Sequence, residues 1–357
     1  MKLTKFFALA LAALAIVGCE PTPGENQTGD AVLTANNNSV EVNTPISFTV
    51  TATDGADLTA EAVIYDKSHD YVVVENPYTP TMDGEYEFYA VVGNIITPSI
   101  KVNVVPTVPA LPEDAQPENV SFNHRILLVD HTGNTCGYCP QMMAALKEVE
   151  ESGDYHTKYY EAMAHTYSSG DPAYSGAANV VSSHHGVNAY PTLTYNFYHS
   201  TKSSYNAAHI MGQIDALWKA EGADAGIAAA ATLASTSVIV NTEVKAAATN
   251  DYHITAWLLE DGIYAKQTNA TAEWMNTHNN AIRQRVTSDD ITGVDLGTIA
   301  AGETASTALT LKIIGNKWVR ENLKVMVIVS AKNDKGEFEV ANVAICPMND
   351  VVTYDYK

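Results

Sequence analysis

The run Ile126-Leu-Leu-Val-Asp-His-Thr-Gly-Asn-Thr-Cys136-Gly-Tyr-Cys139-Pro-Gln-Met-Met constrains this chain more than any other stretch. The apolar residues Ile126 to Val129 predict a buried strand, and Gly133 to Thr135 predict a turn. From Pro140 onward, Met143, Leu146 and Val149 recur at helical spacing. A C-x-x-C pair at that junction puts Cys136 at a helix N-terminus. There, unpaired backbone N–H groups and the positive end of the helix dipole stabilise a thiolate. A cysteine so placed has its pKa lowered from about 8.5 toward roughly 3.5–7.5, which makes it a nucleophile for disulfide exchange. Pro140 agrees, since proline is tolerated in a first helical turn.

Two other uses of a C-x-x-C compete with this one: half of a zinc site, and two thiols without chemistry. Zinc takes about four ligands, and the chain has no second C-x-x-C and no H-x₃₋₅-H. Two further features favour redox chemistry. Asp130 ends the predicted strand, and Gly186-Val-Asn-Ala-Tyr-Pro191-Thr-Leu follows downstream. Taken in order, these three elements resemble those of thioredoxins. The resemblance implies an exposed nucleophile at Cys136, a resolving thiol at Cys139, and a buried acid beneath the pair at Asp130. It also implies a cis proline at Pro191 that faces the disulfide and, with the Tyr190 backbone, holds an extended substrate segment. Tyr138, between the cysteines, joins them as a substrate-contacting residue. Thr135 departs from the pattern, because thioredoxins usually carry Trp before the first cysteine.

At 357 residues the chain is long enough for two or three domains. A formal net charge of −21 argues against nucleic acid as a partner, since such binding rests on Lys and Arg neutralising phosphate. Past the N-terminus, no apolar run is long enough to span a bilayer. Residues 1–18 read as an export signal, with Lys2 and Lys5 before an apolar stretch from Phe6 to Val17. Its end, Leu14-Ala-Ile-Val-Gly-Cys19, resembles a bacterial lipobox, which implies lipid on Cys19 and a membrane anchor; the competing reading is a simple secretory signal. An exported compartment permits disulfides. Cys346 is left over, read as a small buried hydrophobe in preference to a resolving thiol.

Residues 19–30 form a polar tether. Residues 31–105 alternate apolar and polar residues in short runs, among them Ile46 to Ala52 and Glu85 to Val92. They predict a small sandwich whose Gly-x-Tyr-x-Phe run resembles immunoglobulin-like modules of bacterial surface proteins. The proline-rich stretch 106–118 is a semi-rigid linker. The α/β thioredoxin-like domain is expected over 119–221, with a strand over 157–165, a helix over 172–185, a strand over 192–198 and a closing helix over 206–220. The loop 166–176 and His165 are expected to border the dithiol, at the carboxyl ends of the strands. His131 is read either as an imidazolium supporting the thiolate or as a turn residue. His184 and His185 face different ways on a helix and read as structural, so no metal and no cofactor are expected. Residues 225–357 predict a second β-sandwich.

The combination of lipoprotein signal, β-module, Thr-Gly-x-x-Cys-Gly-x-Cys-Pro segment and C-terminal part resembles the Omp28-related outer-membrane lipoproteins of Bacteroidetes. Leu258-Leu-Glu-Asp-Gly, followed by His278-Asn-Asn-Ala-Ile-Arg283, resembles that family's E-D-G … H-N-H-V-x-R segment, with Asn280 in place of its second histidine. This implies an outer-membrane location, on the periplasmic face or the cell surface. The expected function is a membrane-anchored thiol–disulfide oxidoreductase whose partners are exported protein thiols or disulfides and a recycling redox protein. The alternative is a non-catalytic surface lipoprotein that keeps the fold as a scaffold.

Overall fold

A computed structural model describes residues 31–202, 205–315 and 317–357. The expected signal peptide, Cys19 and the tether lie outside the described residues. The chain divides into two compact units.

The described part of the first unit comprises residues 31–38, 45–78 and 85–102. Ala31–Ala35 pairs antiparallel with Phe48–Ala52, and Val63–Asp66 pairs antiparallel with Val72–Val74 and with the strand Gly84–Val92. Alternation along these strands turns Leu33, Phe48, Val50, Ile64, Tyr86 and Phe88 inward, all buried. Phe48 and Phe88 meet at 4.8 Å between ring centroids. Its strands fall within residues 31–105, where the alternating pattern predicts strands, while residues 39–44, 79–84 and 103–105 of that stretch belong to the second unit.

The second unit comprises 39–44, 79–84 and 103–357. Its centre is the strand Ile126–Thr132, buried at every residue. Tyr159–His165 runs parallel on one side of it, and Thr192–Tyr195 runs antiparallel on the other, followed by His199–Lys202. Three helices accompany these strands: α1 (Cys139–Glu150), α2 (Gly176–His184) and α3 (Ala207–Leu217). The faces of the central strand divide the core. Ile126 and Leu128 pack with Met142, Leu146 and Val149 of α1 and with Ile210 and Ile214 of α3. Leu127 and Val129 pack with Ala177, Ala178 and Val181 of α2.

The sequence separates this part from a sandwich at 225–357, but the hydrogen bonding joins them. Met163 pairs in parallel with Ala281, so the sheet continues through Ala281–Arg285, Asn250–Glu260, Leu323–Lys332 and Phe338–Pro347 and, with Val294–Ile299 also paired to Asn250–Glu260, reaches nine strands. An edge strand with open N–H and C=O groups is thereby covered. The second layer is a four-stranded sheet built on Ala225–Leu233 and Ser237–Ala246. Its Ile227, Val238 and Val240 pack against Ile254, Leu258, Val325 and Val327 of the long sheet. A two-layer arrangement is present, and one layer is the extension of the central sheet. Gly226 belongs to this packing: a Cβ there would lie 2.3 Å from Cε1 of the buried Phe122 ring.

Candidate dithiol site

The cysteine loop leaves the central strand after Thr132 and enters α1 at Cys139. Cys136 N–H donates to Gly133 O (3.0 Å), so Cys136 sits in a turn one step ahead of the helix, while Cys139 is its first residue. Tyr138 is the N-cap, without a side-chain capping bond, and Pro140 falls in the first turn where its missing N–H costs nothing. Cys136 and Cys139 form a disulfide, with Cα atoms 5.5 Å apart.

Cys136 was expected to be exposed. Instead it is 1% exposed and Cys139 is fully buried, while Tyr138 between them is 65% exposed. The cover is a polar strap from the C-terminal half. Ile263 and Tyr264 pair antiparallel with Thr277 and His278, and the residues between form an excursion across the cysteine loop. Gln267 Nε2 donates to Cys136 O (2.9 Å), Thr268 N–H to Asn134 O (2.8 Å), and Asn269 Nδ2 to Gly137 O (3.1 Å). The base of the strap is held by Asn276, whose Oδ1 accepts from Gln267 N–H at 2.9 Å. Lys266 to Thr271 have no periodicity and read as a loop. Nothing in their pattern points toward residues some 130 positions earlier.

Asp130 lies on the face of the central strand that meets α1 and is fully buried. Neither carboxylate oxygen has a hydrogen-bond partner. Burial drives its pKa well above the ordinary carboxylate range, and the nearby Glu161 charge adds to this. Burial thus favours the protonated form of Asp130 in the folded protein.

His131 points to the opposite face. It hydrogen-bonds Ser182 Oγ through Nδ1 (2.8 Å) and Thr194 Oγ1 through Nε2 (3.0 Å). Burial lowers its pKa to about 3, assisted by His185. It is neutral, so the imidazolium reading is withdrawn: the hydroxyl network and the low-dielectric surroundings both disfavour the charge. That network runs on through Ser182 and Thr166 to Tyr190, whose Oη lies 3.0 Å from Thr166 Oγ1. The Tyr190–Pro191 bond is cis, as expected, and Pro191 is buried. Because Thr192 pairs with His131, Pro191 stands beside the strand end from which the cysteine loop departs.

The loop 166–176 also reaches this place. Asp171 accepts from Asn134 N–H (2.7 Å) and from His165 Nδ1 (2.8 Å), both through Oδ2, and from Ala173 N–H through Oδ1 (2.8 Å). Burial alone would raise its pKa, but these bonds outweigh that and hold it at about 2. A Cβ on Gly133 would come within 2.6 Å of Tyr167 Cβ, so the close approach of the two loops requires glycine. The glutamate and the arginine of the family-like segment anchor the same loop. Arg283 Nε donates to Glu260 Oε2 (2.6 Å), both side chains nearly fully buried, and Arg283 Nη1 donates to Pro172 O (2.9 Å). Asn280, in place of the second histidine, has φ +55°, a conformation asparagine tolerates. Cys346 is buried elsewhere in the second unit, and burial pushes its thiol pKa to about 11. Among the described residues no group of three His, Cys, Asp or Glu side chains is placed to hold a metal ion.

Residues 178–349 match the family model for Outer membrane protein Omp28. That family is one of outer-membrane proteins, consistent with a place in the cell envelope. Among the described residues no helix is long and apolar enough to cross a membrane. The matched segment contains the strap and the Glu260–Arg283 pair but begins after the Cys136–Cys139 pair. No curated protein matches the chain. The solved structure of HBP35 of Porphyromonas gingivalis is similar over 64% of this chain and 77% of that one, with a TM-score of 0.51 at 15% identity, a likeness of fold. The native conformation of alpha-2-macroglobulin of E. coli aligns over 92% of this chain and 14% of that one at 9% identity, but a TM-score of 0.22 carries no argument.

Proposed function

We propose that this protein is an envelope thiol–disulfide oxidoreductase of thioredoxin-like architecture, anchored through lipid on Cys19 and acting on exported protein thiols or disulfides. The strand order of the central part supports the architecture. A β-α-β unit is followed by a helix, an antiparallel hairpin that adds to the other side of the first strand, and a closing helix. The strand-rich first unit, read as immunoglobulin-like, serves as a spacer.

The observation that carries the reading is Asp130. A buried carboxyl with both oxygens unpaired costs stability. Its position, on the strand leading into the cysteine loop, suits proton exchange with the pair. In the reductive half-reaction an incoming thiolate attacks Cys136 Sγ. The Cys136–Cys139 bond breaks, and its electron pair leaves on Cys139 Sγ, which takes the proton of Asp130. A mixed disulfide with Cys136 remains. Tyr138, Tyr190 and Pro191 border the substrate segment.

A second reading is favoured by one observation, the enclosure of Cys136 beneath the strap: a non-catalytic surface lipoprotein with a permanent disulfide. Exchange with a model dithiol peptide, compared between wild type and Asp130→Asn, separates the two. The oxidoreductase reading expects a loss of about a hundredfold in the exchange rate of the variant. A variant that gains stability while exchanging at the wild-type rate overturns it.

A further inference from the structure

Glu161 is a half-buried acid that the steps above do not use. It stands on Tyr159–His165, where Leu128 pairs with Glu161 and Asp130 with Met163. Residues two apart on a strand face the same way, so both carboxyl groups look toward α1 from adjacent strands. Asp130 Oδ1 and Oδ2 and Glu161 Oε1 are all enclosed, and none has a hydrogen-bond partner. Asp130 does not border open space, whereas Glu161 does.

Two cavities meet at Glu161. One, of about 350 Å³, lies between α1, the Tyr159–His165 strand and the 274–280 segment; Met143, Leu146, Met163 and Trp274 line it. The other, of about 310 Å³, opens past His156, Tyr160 and Lys324. Each has room for several waters, at roughly 30 Å³ apiece. Lys147, 5.6 Å above the Trp274 ring, stands beside the first cavity.

We infer that Glu161 is the proton-supplying residue that connects Asp130 to bulk water through these cavities. This rests on the oxidoreductase reading. When Asp130 gives its proton to the leaving Cys139 sulfur, it is left as a carboxylate in a site that disfavours the charge. Glu161 in its protonated form returns that proton, directly or through one water. It is then reprotonated from the cavity, so one proton enters from solvent for each disulfide opened. Burial raises the Glu161 pKa to about 7, with Glu150 raising it further and Lys324 opposing, so the donor form is populated near neutrality. The other ionisable groups around it are Lys147 of α1, Tyr159 and Tyr160 of its own strand, and His156.

The test is the rate at which a small monothiol, 2-mercaptoethanol, opens the Cys136–Cys139 disulfide of the full chain between pH 6 and 9, after correction for the thiolate fraction of the reagent. The wild type is expected to slow above a break near pH 7. Glu161→Gln is expected to lose that break and to slow about a hundredfold at pH 6, with an unchanged reduction potential. In Glu161→Ala, imidazole buffer is expected to restore the rate, because the enlarged cavity admits a small proton donor. Wild-type kinetics in Glu161→Gln, or a slow Glu161→Ala that imidazole does not rescue, overturns the inference. If Asp130→Asn also reacts like wild type, the oxidoreductase reading itself has failed.

Discussion

Replacing Gln267 with alanine isolates the contact that encloses the disulfide. Gln267 is 2% exposed and its Nε2 donates to Cys136 O at 2.9 Å. Removing the amide leaves that carbonyl without its strap donor, at a cost of about 1–3 kcal/mol for a buried unpaired group. The bonds from Thr268 N–H to Asn134 O and from Asn269 Nδ2 to Gly137 O survive. The strap therefore stays closed most of the time, and the change appears in its opening equilibrium. A loss of about 2 kcal/mol raises the open population about thirtyfold. If a bulky reductant reaches Cys136 only in the open form, its rate rises by the same factor. The assay follows disulfide opening by a reduced thiol protein, with a small phosphine as the unhindered reference. The ratio of the two rates should climb about thirtyfold in Gln267→Ala and further in Gln267→Ala/Asn269→Ala. Equal ratios in wild type and double variant would refute the claim that the strap controls access.

Arg283→Met strands Glu260 as a buried, uncompensated charge and should cost about 3–5 kcal/mol in denaturant unfolding; a loss under about 1 kcal/mol would mean that the pair does not anchor the 166–176 loop. Glu161 has a folded pKa of about 7 against an ordinary 4.5. The folded state thus binds the extra proton, and its stabilising contribution is complete below pH 4.5 and lost as pH rises to about 7. Glu161→Gln should remove roughly 1–3 kcal/mol of that fall from the pH–stability curve; a variant curve parallel to wild type would contradict the burial of the charge. Gly226→Ala drives a methyl into the Phe122 ring and should cost about 1–3 kcal/mol in thermal unfolding, with no effect expected on the disulfide.

What could be read in advance was local. The strand Ile126–Thr132, the spacing that makes α1, the acid before the cysteines and the proline before Thr192–Tyr195 all carry their signal within a few residues. Each appears where the pattern placed it, although the strand expected to end at Asp130 runs on to Thr132 and α2 and α3 are shorter than expected. The exposure of Cys136 could not be read, because its cover comes from Gln267, whose bond is made by a side chain in an aperiodic polar run. Ala225–Leu233 opens the part expected to be β, although Ala-Gly-Ile-Ala-Ala-Ala-Ala carries helix propensity, which tertiary pairing on both edges overrides. The union of the central sheet with the C-terminal strands rests on the bridge from Met163 to Ala281. Such pairing between distant segments leaves no mark in either one. The same holds for Glu161, an ordinary acid in its own strand that becomes unusual beside Asp130 and two cavities.

The reduction potential of the Cys136–Cys139 pair, measured with a Cys136→Ser control for exchange, tests the central claim most directly. The oxidoreductase account predicts a value between about −270 and −120 mV, among thioredoxin-like catalysts, with exchange abolished in the control. A value below about −300 mV, with no exchange on model thiols in the wild type, would contradict it and leave a structural disulfide on a surface scaffold.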